Sequence, residues 1–472
     1  MRSFFRTSTL LLTILATNTN AQLYFEISDR DNSKTKIEFT GFKHENKKID
    51  RDLTFIYKQI SKNLKSTNLF ELATSSESIK KEAKKESNDA NKQVLSPSIS
   101  SKYQQPNKKP SLKSIYSIES VPDFDKLSKN KVSAILVAQA NYDVENNLEI
   151  RLRLWDVQDR RQLFGKYYSS SQDNFRKLGN LISNEIFKSL TGESSGHFNS
   201  KILYISESGP VRKRVKKLAL MNFDGTEKHY LTNGKNLVLT PVFSKNPYEI
   251  YYLSYKDVVP QIYRLNLLNN TSIQVGGFRG TTYAASTHPR DKNKILLSAI
   301  FNGNSDIYEM RIKENVAIRL TRSPAIDTTA SYSPNGRDII FVSDRSGKRR
   351  IYAMNKDGSN IRTLSQGTGN YSKPVFSPKG DMIAFTVLRN SRFYIGTMTK
   401  DGTDERLLTS SYLAEGAKFS PNGRYLIYSK IRSPYGRMSI PKLFVIDIVS
   451  GFEYQLPSYT REGASDPDWK EI

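Results

Sequence analysis

The segment Gly192-Glu193-Ser194-Ser195-Gly196 has the spacing of the G-x-S-x-G motif, and His197 follows it directly. In hydrolases this motif puts a serine nucleophile on a sharp turn between a strand and a helix, where a histidine can take its proton. Here apolar periodicity places a helix before the serine, and a histidine adjacent in sequence is badly placed to act as its base. We therefore predict a hinge between two domains at residues 191–200 and no catalytic residue. A serine hydrolase using Ser194 is kept as an alternative.

Other residue types that carry chemistry are absent or scattered. The chain has no cysteine, which excludes disulfides, thiol nucleophiles, cysteine-ligated zinc and iron–sulfur clusters. The four histidines are far apart in the sequence: His44, His197, His229 and His288. Asp466 and Asp468 lie near the C-terminal end, where we expect them to cap turns. No cofactor or metal site is predicted.

The first 21 residues have the composition of a secretory signal peptide. Arg2 and Arg6 give a basic start, Leu10–Ala16 is apolar, and Thr19-Asn20-Ala21 supplies small residues for cleavage. The apolar stretch is shorter than the ~20 residues of a membrane span, although an uncleaved anchor is the alternative. We expect an exported chain that begins at Gln22 once the peptide is removed.

Positive charge dominates the composition, with 72 Lys and Arg residues against 47 Asp and Glu residues and a net charge of +25. Such an excess suggests an anionic partner. The basic runs Arg212–Lys217 and Arg349-Arg350 lack interleaved aromatic residues, so they predict solvated loops rather than a nucleic-acid site. We expect no nucleic-acid partner. A binder of anionic envelope polymer is kept as a second alternative.

Residues 22–190 predict a small α/β domain with an interruption. The periodic segments are strands at Leu23–Ile27, Val132–Ala138 and Leu148–Leu154, and helices at Leu53–Leu64, Asp123–Leu127 and Phe175–Leu190. Between Leu72 and Lys113, Ser and Lys dominate and apolar residues follow no period. This composition cannot bury enough apolar surface to offset the entropy of ordering, so we predict a disordered insert at 72–113.

Residues 201–472 are repetitive. Ser333-Pro334-Asn335-Gly336 recurs as Ser377-Pro378-Lys379-Gly380 and Ser420-Pro421-Asn422-Gly423, at steps of 44 and 43 residues. A second turn in each repeat follows the same spacing. Its six copies are Asp224-Gly225, Asn269-Asn270, Lys313-Glu314, Asp357-Gly358, Asp401-Gly402 and Ser450-Gly451. Six periods of this length predict a small α/β N-terminal domain followed by a six-bladed β-propeller, closed by pairing Ile202–Ile205 with the stretch that ends at Trp469.

The repeat is similar to the PD40 propeller repeat, and the chain as a whole resembles the TolB family of the Tol–Pal system. The segments that carry the resemblance are Arg153–Val157, Leu190–Glu193, Tyr204–Gly209, Gly303–Tyr308, Ser323–Thr328 with Ser331–Gly336, and Ala464–Trp469. The resemblance covers nearly all of the chain apart from residues 72–113. It implies a non-enzymatic protein of the periplasm that acts through protein–protein interaction.

The resemblance also implies partners. A member of this family would link the lipoprotein Pal to the C-terminal domain of TolA, with contacts to other outer-membrane proteins, and would support outer-membrane invagination during cell division, a step of the cell cycle, as well as outer-membrane integrity. The TolA-binding strand would lie just after the signal peptide, at Gln22, Leu23, Tyr24, Phe25, Glu26 and Ile27. An edge strand of this kind can add to a partner's sheet, or it can pair within its own domain. Both possibilities stay open.

Pal would dock at one mouth of the propeller channel. The family resemblance places this mouth at the loops before the innermost strand of each blade. The candidate residues are Thr281, Thr282, Tyr283, Asp327, Thr328, Tyr371 and Glu415. Thr287-His288-Pro289-Arg290 stands where the family pattern has Ser-Pro-x-Gly, so the turn of that blade departs from the repeat.

Overall fold

The structure, a computed structural model, describes residues 34–74, 114, 116–257, 259–276, 281–435, 439–457 and 462–471. The predicted signal peptide, the predicted strand at Leu23–Ile27 and residues 75–113 of the predicted insert lie outside the described residues.

The N-terminal domain is a five-stranded sheet with helices. Its strands are β1 (Thr35–Lys43), β2 (Phe70–Thr74), β3 (Ala134–Tyr142), β4 (Leu148–Asp156) and β5 (Arg161–Ser170), and its helices are α1 (Asp50–Ser66), α2 (Phe124–Lys129) and α3 (Phe175–Thr191). The strand order is β2-β1-β3-β4-β5, with β1 parallel to both of its neighbours. The predicted α/β class is confirmed. The insert was predicted to begin too early, because Leu72–Thr74 completes β2.

The propeller has six sheets of four antiparallel strands each, which confirms the predicted blade number. From the innermost strand outward, blade 1 is β29 (Gly463–Glu471), β6 (Ser200–Ser208), β7 (Val215–Asn222) and β8 (His229–Tyr230); blade 2 is β9 (Val238–Phe243), β10 (Glu249–Ser254), β11 (Gln261–Asn266) and β12 (Ser272–Gln274); blade 3 is β13 (Thr281–Thr287), β14 (Lys294–Phe301), β15 (Asn304–Arg311) and β16 (Val316–Arg319). Blade 4 is β17 (Asp327–Tyr332), β18 (Asp338–Ser343), β19 (Arg350–Asn355) and β20 (Arg362–Thr363); blade 5 is β21 (Asn370–Phe376), β22 (Met382–Arg389), β23 (Arg392–Thr399) and β24 (Arg406–Ser411); blade 6 is β25 (Leu413–Phe419), β26 (Tyr425–Ile431), β27 (Lys442–Asp447) and β28 (Glu453–Gln455).

The ring closes as predicted, because the last strand of the chain is the innermost strand of the first blade. Gly463 pairs with Glu207, and Trp469 pairs with Ile202. The indole N–H of Trp469 donates a hydrogen bond to the hydroxyl of Ser200. The Trp469 ring also stacks on Phe223 at a centroid distance of 4.9 Å. Closure of this kind joins the two ends of the propeller and leaves no innermost strand unpaired.

Strand direction alternates within each blade, so the connections divide between two sides of the propeller. The first-to-second and third-to-fourth strand connections lie on one side, which we call the domain side. The second-to-third strand connections and the links between blades lie on the other, which we call the distal side. The N-terminal domain packs on the domain side. Gln59 of α1 and Arg176 of α3 donate hydrogen bonds to Asp224, in the connection between β7 and β8.

A continuous apolar core joins the two domains. Phe187 of α3 and Phe198 of the linker pack in one cluster with Tyr425 and Trp469 of the propeller. Burial on this scale holds the domains in a fixed arrangement, since apolar side chains contribute about 1.5–3 kcal/mol each when they are fully buried. Within the part of the chain that the structure describes, no helix has the length and apolar character needed to cross a bilayer.

Candidate partner-binding site at the propeller channel

The innermost strands line a central channel, and each is interrupted by a β-bulge at the same level. Five residues at these bulges have left-handed backbone conformations, with φ between 44° and 71°: Thr240, Thr329, Lys373, Gly416 and Asp466. The pairing register shifts at this point in all six blades. Pro241, Pro374 and Pro467 follow three of the bulged residues, as expected because proline cannot donate to the sheet and is confined to bulges or edges.

The bulges direct polar groups into the channel. Lys373 Nζ lies 3.1 Å from Glu415 Oε2 and 3.1 Å from Asp466 Oδ1. The hydroxyls of Thr240 and Thr329 are buried beside this cluster and have no hydrogen-bond partner among the described residues. Such left-handed residues are strained when they are not glycine, and strain of this kind is often found at functional sites.

The channel charges stabilise one another. Burial alone would lower the pKa of Lys373, but the carboxylates of Asp466 and Glu415 outweigh burial and hold that pKa above its usual value. Burial alone would raise the pKa of Asp466, and the ammonium of Lys373 more than offsets it, so the pKa lies below its usual value. Both groups are therefore charged at neutral pH. Among the described residues, no cluster of three histidine, aspartate or glutamate side chains could hold a metal ion.

The predicted mouth residues lie on strands rather than in loops. Thr281, Thr282 and Tyr283 begin β13, while Asp327 and Thr328 begin β17. Tyr371 and Glu415 are the second and third residues of β21 and β25. All of them stand at the distal ends of the innermost strands, at the same mouth of the channel.

Three of the predicted mouth residues are fully buried and have internal partners. Thr282 Oγ1 accepts a hydrogen bond from the backbone N–H of Ile262. The carboxylate of Asp327 accepts two bonds from Arg345 Nη2, at 3.0 and 2.8 Å. Tyr371 Oη donates to Glu405 Oε2 at 2.7 Å. These side chains therefore shape the mouth from within, and a direct contact with a partner remains a prediction only for the others.

Two carboxylates do not act as the turn caps that the sequence suggested. Asp466 lies in the channel, where it pairs with Lys373. Asp468 Oδ2 accepts a hydrogen bond at 2.7 Å from the backbone N–H of Phe243, in the innermost strand of the next blade. The sequence reasoning also missed Lys373. The sequence does contain a pattern that could have indicated it, because a polar residue followed by proline recurs in three innermost strands. These pairs are Thr240-Pro241, Lys373-Pro374 and Asp466-Pro467.

The G-x-S-x-G segment has a structural role. Gly192 ends α3 in a left-handed conformation, and its N–H donates to the carbonyl of Lys188. A Cβ on Gly196 would come within 2.0 Å of Asn184 Oδ1, so only glycine fits there. Ser194 is exposed and follows a helix rather than a strand. The geometry of a nucleophile elbow is therefore not formed.

His197 is turned into the joint between the domains. Its ring lies among Phe198, Tyr425 and Phe223, with centroid distances of 4.2, 4.7 and 5.1 Å. Burial, together with the positive charge of Arg424, lowers the pKa of His197 to about 3. The imidazole is thus a neutral core group that packs between the domains.

The comparisons with known proteins agree with this architecture. Residues 187–472 match the PD40 family model, described as the TolB beta propeller domain. The Tol-Pal system protein TolB of Gluconobacter oxydans (strain 621H) is 36% identical over 353 residues, which cover 74% of this chain and 77% of that protein. The crystal structure of TolB from Acinetobacter baumannii superposes with a TM-score of 0.73 at 22% identity, over 93% of this chain and 96% of that one. At that identity, the structural match shows the fold.

Proposed function

Because the chain belongs to the TolB family and is a non-enzymatic component of a Tol-Pal system, we propose that it links Pal to TolA in the periplasm and so supports outer-membrane invagination at cell division and outer-membrane integrity. Pal would dock at the distal mouth of the channel, and the TolA C-terminal domain would bind the strand at Gln22–Ile27. The function needs no catalytic group, in keeping with the structural role of the G-x-S-x-G segment.

One observation supports this proposal above the others: the described residues of the N-terminal domain pack on the domain side and leave the distal mouth uncovered. Asp224 anchors α1 and α3 on the domain side, and Glu193 of the linker lies 3.7 Å from Lys379 and 3.9 Å from Arg424 on the same side. The sequence predicts that the start of the mature chain, Gln22–Asn32, belongs to the N-terminal domain. A partner at the distal mouth and a partner on the N-terminal strand would therefore not compete for one surface.

The test uses the mature chain beginning at Gln22, with the soluble domain of the Pal-like lipoprotein and the C-terminal domain of the TolA-like protein from the same organism. We expect the mature chain to bind both. Deletion of Gln22–Asn32 should abolish TolA binding and leave Pal binding intact. Deletion of a segment of equal length, Asn91–Ser101, is the matched control and should leave both interactions unchanged. A correctly folded chain that captures neither partner would rule out the proposal.

A further inference from the structure

The two sides of the propeller differ in charge. The described connections on the distal side carry ten Lys and Arg residues but only three Asp and Glu residues. Those on the domain side carry ten Lys and Arg residues and nine Asp and Glu residues. The distal acids are Asp257, Asp344 and Glu462. The sequence alone did not reveal this difference, because the basic residues of the distal side are spread over several connections that lie far apart in the chain.

Six basic side chains on blades 4 to 6 and on the link that leads into blade 4 form what we call the basic arc. They are Arg322, Lys348, Arg349, Arg389, Arg392 and Arg432, and each is exposed. Arg214 and Arg345, by contrast, pair with Glu207 and Asp327. In the part of the chain that the structure describes, no residue of the arc has a carboxylate within ion-pair distance. Their positive charge is therefore not paired within the described part of the propeller.

The arc is continuous with the channel mouth. The backbone N–H of Tyr371 donates to the carbonyl of Arg349 at 3.0 Å, and the N–H of Arg349 donates to Asn370 Oδ1 at 3.3 Å. These bonds join a connection of blade 4 to the start of the innermost strand of blade 5. At the distal end of the outermost strand of blade 5, Ser411 Oγ donates to the carbonyl of Ile431 in blade 6, next to Arg432. A partner that covers the mouth would thus also reach the arc.

Apolar side chains stand among these charges. Ile326, Tyr412 and Tyr435 are 52%, 53% and 81% exposed. Ile326 is tied to blade 4, because its N–H donates to Asp344 Oδ1 at 2.9 Å. Tyrosine and arginine are enriched in protein–protein interfaces, where they supply most of the hot spots. The combination of arginine with exposed tyrosine favours a protein partner, and binding to an anionic membrane, which also uses aromatic side chains beside basic ones, is the competing outcome of the test.

We propose that the basic arc receives an acidic surface of the protein that docks at the distal mouth, so that carboxylates of this partner face Arg349, Arg392 and Arg432. The inference rests on the proposed function and specifies the chemistry of the Pal surface in contact with blades 4 to 6. Charge complementarity of this kind steers encounter and raises association rates more than it raises affinity.

The test measures the association rate of the mature chain with the soluble Pal domain at about 0.01 M and about 0.15 M NaCl, between which the Debye length shortens from about 30 to about 8 Å. The variant is Arg349→Glu/Arg392→Glu/Arg432→Glu. The matched control is Lys313→Glu/Arg337→Glu/Lys356→Glu. It reverses three exposed charges on the domain side that have no ion-pair partner among the described residues. Thermal unfolding checks that both variants are folded.

At low salt we expect the arc variant to associate with Pal at least about tenfold more slowly than the unmodified chain. Its association rate should also lose most of its dependence on salt. The association rate of the control should stay within about twofold of that of the unmodified chain. Equal rates for the two variants would overturn the inference and leave the proposed function standing. No association by the unmodified chain would overturn both. A third outcome would assign the arc to a membrane instead: the unmodified chain binds phosphatidylglycerol vesicles, the arc variant does not, and both associate with Pal at the same rate.

Discussion

The ammonium group of Lys373 lies 3.1 Å from a carboxylate oxygen of Asp466, which joins blade 5 to blade 1 through the channel. We predict that Lys373→Met lowers the free energy of unfolding by about 2–4 kcal/mol, since it leaves two channel carboxylates without their counter-charge. Denaturant unfolding of the purified variant measures the effect. Lys400→Met, at an exposed lysine of the same blade, is the control and should change stability by less than about 0.5 kcal/mol.

A double variant separates charge from packing at this site. If the lost ion pair causes the destabilisation, Lys373→Met/Asp466→Asn should be more stable than Lys373→Met alone, because the second substitution removes one of the uncompensated charges. Additive losses in the two single variants would show instead that the side chains act independently.

The propeller could be predicted from the sequence because its turns depend on residue identity. Gly358 has φ of 87°, and a Cβ at this position would come within 2.4 Å of the carbonyl oxygen of Leu320 in the preceding blade. The geometry therefore demands glycine, and the Asp-Gly pair recurs with the period of the blade. A chain with this spacing can be assigned its blade number without knowledge of tertiary contacts.

Three strands of the N-terminal domain were not predicted, for different reasons. β2 was missed because the predicted insert began inside it, at Leu72. β5 is an edge strand in which no residue is fully buried, so the apolar pattern that marks a strand is missing. β1 lies between two parallel neighbours and is buried over six consecutive residues, yet it contains the charged Glu38 and the glycine Gly41, which disrupt the pattern of a buried strand.

The channel site could be predicted only in part. The repeat predicts that the ends of the innermost strands share one mouth of the channel, and their role in binding a partner stays a prediction. Burial of Thr282 and Asp327 depends on the neighbouring second and third strands, which the repeat does not specify. The pairing of Lys373 with Asp466 depends on closure of the ring, which brings together side chains from blades that are not neighbours in sequence.

His197 should make stability depend on pH in the mildly acidic range. The pKa of the histidine is about 3 in the folded chain and about 6.5 when unfolded, so between these values the unfolded state binds a proton that the folded state does not. Stability is therefore fully present above pH ~6.5 and falls by about 1.4 kcal/mol per pH unit as the pH decreases toward 3.

The measurement is denaturant unfolding of the unmodified chain and of His197→Phe between about pH 6.5 and 5, above the usual pKa range of carboxylates, whose remaining contribution is common to both proteins. The Phe ring can take the place of the imidazole among the neighbouring aromatic rings but cannot titrate, so the variant should lack this part of the slope. His229→Asn, at an exposed histidine on β8, serves as the control. An unchanged slope in His197→Phe would assign the acid sensitivity to another group.

Asp224 should control how tightly the two domains are coupled. It accepts hydrogen bonds from Gln59 Nε2 at 3.3 Å and from Arg176 Nη1 at 3.0 Å, and its side chain is almost fully buried. Asp224→Asn keeps the shape but removes the charge, and we expect a loss of about 1–3 kcal/mol. In calorimetry the N-terminal domain should then unfold at a lower temperature than the propeller.

The matched control is Asp357→Asn, in the corresponding turn of blade 4. Asp357 accepts a hydrogen bond from the N–H of Ser359, just as Asp224 does from that of Thr226. Asp357 is exposed, however, and has no contact with the described residues of the N-terminal domain. We expect the Asp357→Asn variant to unfold in a single cooperative transition. Equal effects of the two substitutions would mean that the turn, rather than the contact between domains, sets the stability.

Substitutions at buried and at exposed residues of the distal mouth should have different effects: the former should lower stability, and the latter should weaken Pal binding. Asp327→Asn removes the negative charge whose two oxygens accept hydrogen bonds from Arg345 Nη2 inside blade 4, and it should destabilise the chain by about 3–5 kcal/mol. At a temperature where the variant is folded, its affinity for Pal should change little.

Tyr412→Ser, at an exposed position on the same mouth, should instead leave stability within about 0.5 kcal/mol and weaken Pal binding by at least about fivefold. Calorimetric titration and thermal unfolding of both variants give the comparison, and weaker Pal binding by folded Asp327→Asn would show that the internal ion pair positions the docking surface.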